Sequence, residues 1–291
     1  SGLKDEDGVT LQHISMPRHL TDPEIELIHK HLHKSTNQYA TIHFFLPANA
    51  HLKVGGLHGN CFRIKVRKLS KRIVQKISDK KEHGLFFINY YGPQRFGLPN
   101  QVKNTWKIGK ALIQQDFTAA LHELQQQSSP EANEARQFSG APEDFFSSLD
   151  KRLVAFFQSS YFSKLWNDTI VQSISSLGIK SEQMQIDEIV YLMPLDQEAT
   201  VSTLAANLNL TNKRAVLRHN EIGALEYNRP PAISTKVIIE DSGIDDLNDG
   251  SYCCTLSFFL PSGCYASMLI PQFLKCVEHE LAEEPVALAT C

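Results

Sequence analysis

The chain has 291 residues, 42% hydrophobic and 21% charged, a composition that can bury a sizeable core as one large or two ordinary domains. No apolar run approaches the length a membrane-spanning helix needs. The net charge of −3 excludes a nucleic-acid binder that works through overall charge alone, so the local distribution of charge carries the information.

The chain opens "SGLKDEDGVTLQ", where Asp7-Gly8 is a tight-turn signal. Asp5 stands just before the turn, and Lys4 beside it could lower its pKa and keep it ionised as a nucleophile; an ordinary charged turn fits the same residues. Thr21-Asp22-Pro23-Glu24 predicts a helix start, and the helix runs to about Lys34. His29 and His33 share one face of it at metal-pair spacing, with no cluster nearby to complete a ligand shell. Residues 42–46 read as a strand. Residues 61–69 alternate more cleanly, with Phe62, Ile64 and Val66 on one face and Arg63, Lys65 and Arg67 on the other. A helix with Ile73, Val74 and Ile77 on its apolar side is expected to follow and to end near Gly84.

From Cys61 to Lys81 there are nine Lys or Arg residues against one Asp79, while acidic residues gather at 240–249 and 278–284. The basic stretch is either a solvated strand and helix surface or a path for a polyanion. Further on, helices are expected at about 104–125 and 145–177. Between them, the polar segment 125–144 with two prolines reads as a linker or mobile loop. Residues 197–226 look helical, with Thr211-Asn212 as break and cap. "YNRPPAI" then returns the chain to strand: "STKVIIE", a polar turn at 241–250, "SYCCTLSFFL" with Tyr252, Cys254, Leu256, Phe258 and Leu260 on one face, and "CYASMLI" as a continuing strand. The simplest architecture is α+β, a sheet domain made from the two terminal parts and interrupted by a helix-rich insertion at roughly 85–230. None of the six cysteines forms a CxxC pair, which fits reduced thiols in a cytoplasmic protein better than a disulfide framework or a zinc site.

Two further stretches bear on chemistry. "LKVGGLHGNCFRI" places glycines just before a strand, where backbone can approach a ligand closely. Asn60 there could read a base edge, and Phe62 offers a face for stacking or for core packing. "FFINYYGPQRFG" combines two tyrosines and a Gly-Pro turn with Gln94, Arg95 and Phe96, which suits a loop that binds a flat polar ligand, or a buried corner.

These residues resemble the TruD family of pseudouridine synthases. Its nucleophile motif is similar to Gly2–Gln12, its second motif to Leu52–Phe62, and its third, Asn-Tyr-aromatic-Gly-x-Gln-Arg-Phe-Gly, to Asn89–Gly97. A later helix resembles "FFQSSYFSKLWN" and the final strand resembles Ser257–Ser267, so the likeness runs in family order along nearly the whole chain.

The resemblance implies an α+β pseudouridine-synthase sheet domain, residues 1–84 and 230–291, with an inserted TruD-type domain at 85–229 and a further family segment upstream of the nucleophile motif. It implies isomerisation of uridine to pseudouridine in RNA, in bacteria usually at position 13 of tRNA, with no metal or organic cofactor. Asp5 would be the catalytic aspartate. Lys4, Thr10, Gln12, Asn60, Phe62, Asn89, Gln94, Arg95 and Phe96 would contact the substrate, and Arg63, Lys65 and Arg67 the RNA backbone. Partners would be tRNA or another structured RNA, with no membrane and a monomeric enzyme. The alternative is a decayed or incomplete synthase that only binds RNA. Three positions depart from the family pattern: Glu6, His58 and Pro271-Gln272, each standing where a positive charge near the RNA path is usual.

Overall fold

The computed structural model describes residues 9–11, 15, 20–32, 50–52, 56–195, 200, 203–204 and 211–283. The chain divides into two units, Ser1–His58 and Gly59–Cys291. In the first, α1 (Asp22–Leu32) begins where Thr21 and Glu24 predict it. The Glu24 carboxylate accepts from the Thr21 backbone N–H and hydroxyl, both at 2.9 Å, half of a reciprocal capping box. The His29 side chain and His33 lie outside the described residues, as do the expected strand at 42–46 and Cys291.

The second unit is built on a four-stranded antiparallel sheet in the order β1-β8-β7-β2, from β1 (Gly59–Leu69), β2 (Glu82–Ile88), β7 (Ala232–Ile244) and β8 (Tyr252–Pro261). The alternation in β1 sets its register. Phe62, Ile64 and Val66 stand opposite Phe258, Leu256 and Cys254, so their apolar faces merge. Two helices cover that face, α2 (Lys71–Ser78) and α8 (Ala266–Glu283), and Val74, Ile77, Leu269, Phe273 and Val277 close the core over Val237, Leu256 and Leu260. Burying each such side chain contributes about 1.5–3 kcal/mol.

Between β2 and β7 the chain forms a helical layer and two hairpins. The helices are α3 (Thr105–Ile113), α4 (Phe117–Gln125), α5 (Pro130–Gln137), α6 (Pro142–Ser148) and the long α7 (Lys151–Ser176). Here α3 lies hard against α7: a Cβ on Gly109 would stand 1.9 Å from the Phe157 carbonyl oxygen. The hairpins are β3 (Ser181–Ile186) with β4 (Ile189–Pro194) and β5 (Thr211–Arg218) with β6 (Glu221–Asn228).

Several expectations are corrected. The helix after β1 stops at Ser78, and Gly84 lies inside edge strand β2. The stretch 104–125 is two helices, broken where Gln115 takes φ 60° and Asp116 caps α4 by accepting from the Ala119 N–H. The supposed linker at 125–144 contains α5, capped by Ser129 with Pro130 in its first turn, and its Ala132 and Ala135 are fully buried. Small residues at i,i+3 bury a helix face without the bulky periodicity that marks one in sequence.

Residues 211–228 form a hairpin, not a helix. His219 and Asn220 both take positive φ, which is the two-residue turn that matches strand twist. Strand β7 continues to Ile244, shortening the polar turn after it. "CYASMLI" leads into helix α8: Met268, Leu269, Gln272, Phe273 and Val277 are buried at helical spacing, a period that a short apolar run hides.

Candidate functional site

Asp5, Lys4 and Gln12 lie outside the described residues, and Thr10 is exposed. His58 is exposed too. The second motif enters β1. Gly59 is needed there for packing, since a Cβ would stand 2.1 Å from the Leu260 carbonyl oxygen and 2.4 Å from the Phe259 ring. Asn60 is exposed beside it. Phe62 is half-buried, its ring stacked on Phe258 at 5.4 Å, so much of that aromatic surface is spent on the sheet.

On the opposite face of β1 every expected RNA-backbone cation has an acidic partner. Arg63 donates to Glu240, which Ser257 also supports. Lys65 reaches Asp246 at 3.4 Å, and Arg67 bonds Asp245 at 2.5 Å and Asp246 at 2.6 Å. Asp245 is the anchor. Burial opposes its ionisation, but the Lys68 and Leu247 backbone N–H groups, the Asn248 amide and Arg67 together hold its carboxyl far below the usual range. Hydrogen bonds from Arg67 lower Asp246 too, and those from Ser257 and Arg63 lower Glu240. The acidic run at 240–249 thus lies against the basic strand, and their fields largely cancel.

The third motif leaves β2 as a loop whose residues divide in two. Asn89 and Phe96 are 1% exposed, so the substrate contacts expected of them are not at the surface. Asn89 donates to the Pro230 carbonyl, and its own carbonyls accept from Arg229. Tyr90 donates to the Leu192 carbonyl. Tyr91 is clasped through its backbone by the Asn167 amide, at 2.9 and 3.0 Å. Its hydroxyl is 2.6 Å from that of Tyr227, and Asn212 donates to both. Gln94 is exposed and Arg95 half-buried. Gln94 accepts from Ser267, at the start of α8, at 3.3 Å. The Arg95 guanidinium lies 4.8 Å above the Phe156 ring, and its Nε donates to Ser163.

At the centre of these contacts lies Arg229, from the "YNRPPAI" stretch that leads into β7. It is 5% exposed. It donates to the Gly263 carbonyl at 2.8 Å and to both oxygens of Asn89, and it lies over the rings of Tyr91 (4.1 Å) and Trp166 (5.5 Å). The Trp166 indole donates to the Asn89 backbone as well. One cation therefore ties the third motif, long helix α7 and the turn after β8 into a unit. The only sequence signal was an arginine beside two prolines.

Burial pushes the Tyr227 and Tyr265 hydroxyls above their ordinary pKa. Tyr91 adds to the rise at Tyr227, while Arg229 and Arg214 oppose it; at Tyr265 the opposing charges are Arg95 and Arg229.

Of the Pro271-Gln272 pair, the second residue has a structural role. Gln272 is 1% exposed inside α8, where it accepts from the Ile88 N–H at 2.8 Å and donates to the Ile88 and Met268 carbonyls. It completes the end of β2 as a neighbouring strand would. Among the described residues, no group of three His, Cys, Asp or Glu side chains could hold a metal ion, and no helix is long and apolar enough to cross a membrane.

Comparison with known proteins gives a consistent result. A family model described as tRNA pseudouridine synthase D (TruD) matches residues 1–145. The multisubstrate pseudouridine synthase 7 of Schizosaccharomyces pombe is 32% identical over 42% of this chain and 18% of its own length. The tRNA pseudouridine synthase D of Helicobacter hepaticus is 33% identical over 40% of this chain and 29% of its own. The human pseudouridylate synthase 7 homolog is 24% identical over 94% of this chain and 54% of its own. The chain thus spans at most about half the length of these relatives. A solved structure from Methanosarcina mazei, whose own assignment as tRNA pseudouridine synthase D is provisional, covers 78% of this chain and 71% of that one at 17% identity and a TM-score of 0.43. With the nucleophile, glycine-asparagine and NYYGxQRFG motifs all inside them, residues 1–145 of the chain belong to the TruD family of pseudouridine synthases.

Proposed function

We propose that the protein isomerises uridine to pseudouridine in a structured RNA, most simply at position 13 of tRNA, as a monomer in the cytoplasm. The observation that carries this reading is that three family motifs, Gly2–Gln12, Leu52–Phe62 and Asn89–Gly97, fall within the 145 residues matched by the family model. Residues 1–84 and 230–291 act as the catalytic sheet domain, and 85–229 as the inserted domain that helps grip RNA.

In the reaction Asp5 attacks the flipped-out nucleotide, at the sugar C1′ or the base C6. The bond from N1 of uracil to C1′ breaks, the base turns, a bond from C5 to C1′ forms, and the C5 hydrogen is lost to water. Extrusion of the base costs a few kcal/mol, about 1–3 of which stacking on an aromatic such as Phe62 returns. Lys4 favours the carboxylate form of Asp5. Thr10, Gln12 and Asn60 contact the nucleotide, and Gln94 and Arg95 serve from the third motif. Asn89 and Phe96 act from inside, by holding that loop in shape. Arg63, Lys65 and Arg67 reach phosphate only by exchanging their carboxylate partners for it, which makes them secondary.

Release of tritium from RNA carrying 5-tritiated uridine tests the reading. The parent chain should release tritium and Asp5→Ala should not. Equal release from the two would remove Asp5 from the chemistry.

A further inference from the structure

We infer that Arg95, Arg214 and Arg229, set around Tyr91, Tyr227 and Tyr265, form a phosphate-binding site for the backbone of a single-stranded RNA segment. This rests on the functional reading above and names the part of the molecule that holds the strand.

The cluster is continuous. Tyr91 touches Tyr227 through its hydroxyl, meets Tyr265 edge-to-face at 5.8 Å, and carries Arg229 on its ring. Arg214, an exposed residue of β5, stands 5.6 Å from the Tyr227 ring, and Arg95 follows Gln94, which accepts from Ser267 two residues beyond Tyr265. Among the described residues, none of the three guanidinium groups has a carboxylate within ion-pair distance. Nearby cations do: Lys213, the neighbour of Arg214, pairs with Glu226 at 2.8 Å, and Lys164 pairs with Asp168. The acid-free set is thus local to the tyrosines.

A second observation points to a ligand. Arg229 is buried, and its Nε has no hydrogen-bond partner. A buried cation paired only with carbonyls and rings leaves positive potential uncompensated, and an anion arriving beside it relieves that. Above it the turn at Ser262-Gly263 is exposed, so the charge lies under an accessible surface. Arg214 is exposed and Arg95 half-buried, and their planar guanidinium forks, set among aromatic rings, suit phosphodiester oxygens and unstacked bases.

The test uses the full chain and a short fluorescein-labelled oligouridylate, followed by anisotropy at about 50 and about 200 mM salt. Arg95→Gln and Arg214→Gln should each weaken binding about three- to ten-fold and reduce the slope of log affinity against log salt by about 0.7. Lys213→Gln, which removes a cation already paired on the same hairpin, should change affinity less than about two-fold. Arg229→Lys keeps a charge beneath the surface and should fall between. Should Arg229 variants fail to fold, the Arg95 and Arg214 variants still decide. Parent-like affinity and slope in both Arg95→Gln and Arg214→Gln would overturn the inference. So would displacement of the RNA by oligoglutamate as readily as by unlabelled oligouridylate. Tritium release by a parent whose binding ignores Arg95 and Arg214 defeats this inference alone. Binding that depends on them, with no release from any RNA, defeats the enzymatic reading alone.

Discussion

Two basic regions of this molecule differ in what surrounds them. Strand β1 holds a conspicuous run of cations, yet Glu240, Asp245 and Asp246 occupy Arg63, Lys65 and Arg67. The loop cluster holds three arginines scattered over 135 positions of sequence, and none of them has an acid partner among the described residues. A charge run in one strand is a poor guide to potential, because folding brings beside it charges from a strand it does not pair with, Glu240 of β7, and from the turn after that strand, Asp245 and Asp246. Arginines gathered from three separate elements carry more net field with fewer charges.

The largest test of this contrast is Arg229→Ala. It leaves the Asn89 side-chain oxygen and the Gly263 carbonyl without the donor Arg229 supplies and removes a ring-stacked cation, so unfolding in urea should show a loss of about 3 kcal/mol. Arg229→Met should cost less, since it refills the volume. A loss below about 0.5 kcal/mol would show that the cluster stands without its central cation.

Next in size is unmasking of β1. Glu240→Gln combined with Asp246→Asn frees Arg63 and Lys65, and RNA affinity at low salt should rise by up to about ten-fold with a steeper salt dependence. Unchanged affinity would place this face of the sheet off the RNA path. Smaller is Tyr227→Phe, which takes one hydroxyl from the Tyr91–Asn212 network and should cost about 1 kcal/mol in the same urea experiment. A neutral result would mean that Asn212 re-pairs fully with Tyr91.

The smallest effect near neutrality concerns acid. The folded-state pKa values of Glu240, Asp245 and Asp246 are depressed, so their contribution to stability is complete above the unfolded value of about 4. It is lost as pH falls below that towards the folded values, because the unfolded chain then binds more protons. Thermal melts should therefore drop more steeply below about pH 4 in the parent than in Asp245→Asn, and the two curves should run parallel above about pH 5. Equal steepness would show that these carboxylates are not what holds the β7–β8 turn to β1.

The contrast also explains which features could be read in advance. Period-two alternation in β1 and β8 is visible because each strand buries one face, and the sheet register follows from it. Helix α5 and hairpin β5–β6 are not, since the first is anchored by alanines and the second by two non-glycine residues at positive φ. Helix α8 hid in a run whose apolar residues suit either period.

The sequence by itself determined the family and the three motifs, because each motif is a contiguous run whose residue types are tied to local turn and strand geometry. It determined the sheet's apolar face for the same reason. Only the tertiary structure decided which motif residues reach the surface, putting Asn89 and Phe96 inside, Gln94 outside and Arg95 half-buried between them. It alone decided which cations are spent and which remain. Charge compensation and burial depend on neighbours distant in sequence, and those neighbours meet only when the chain folds.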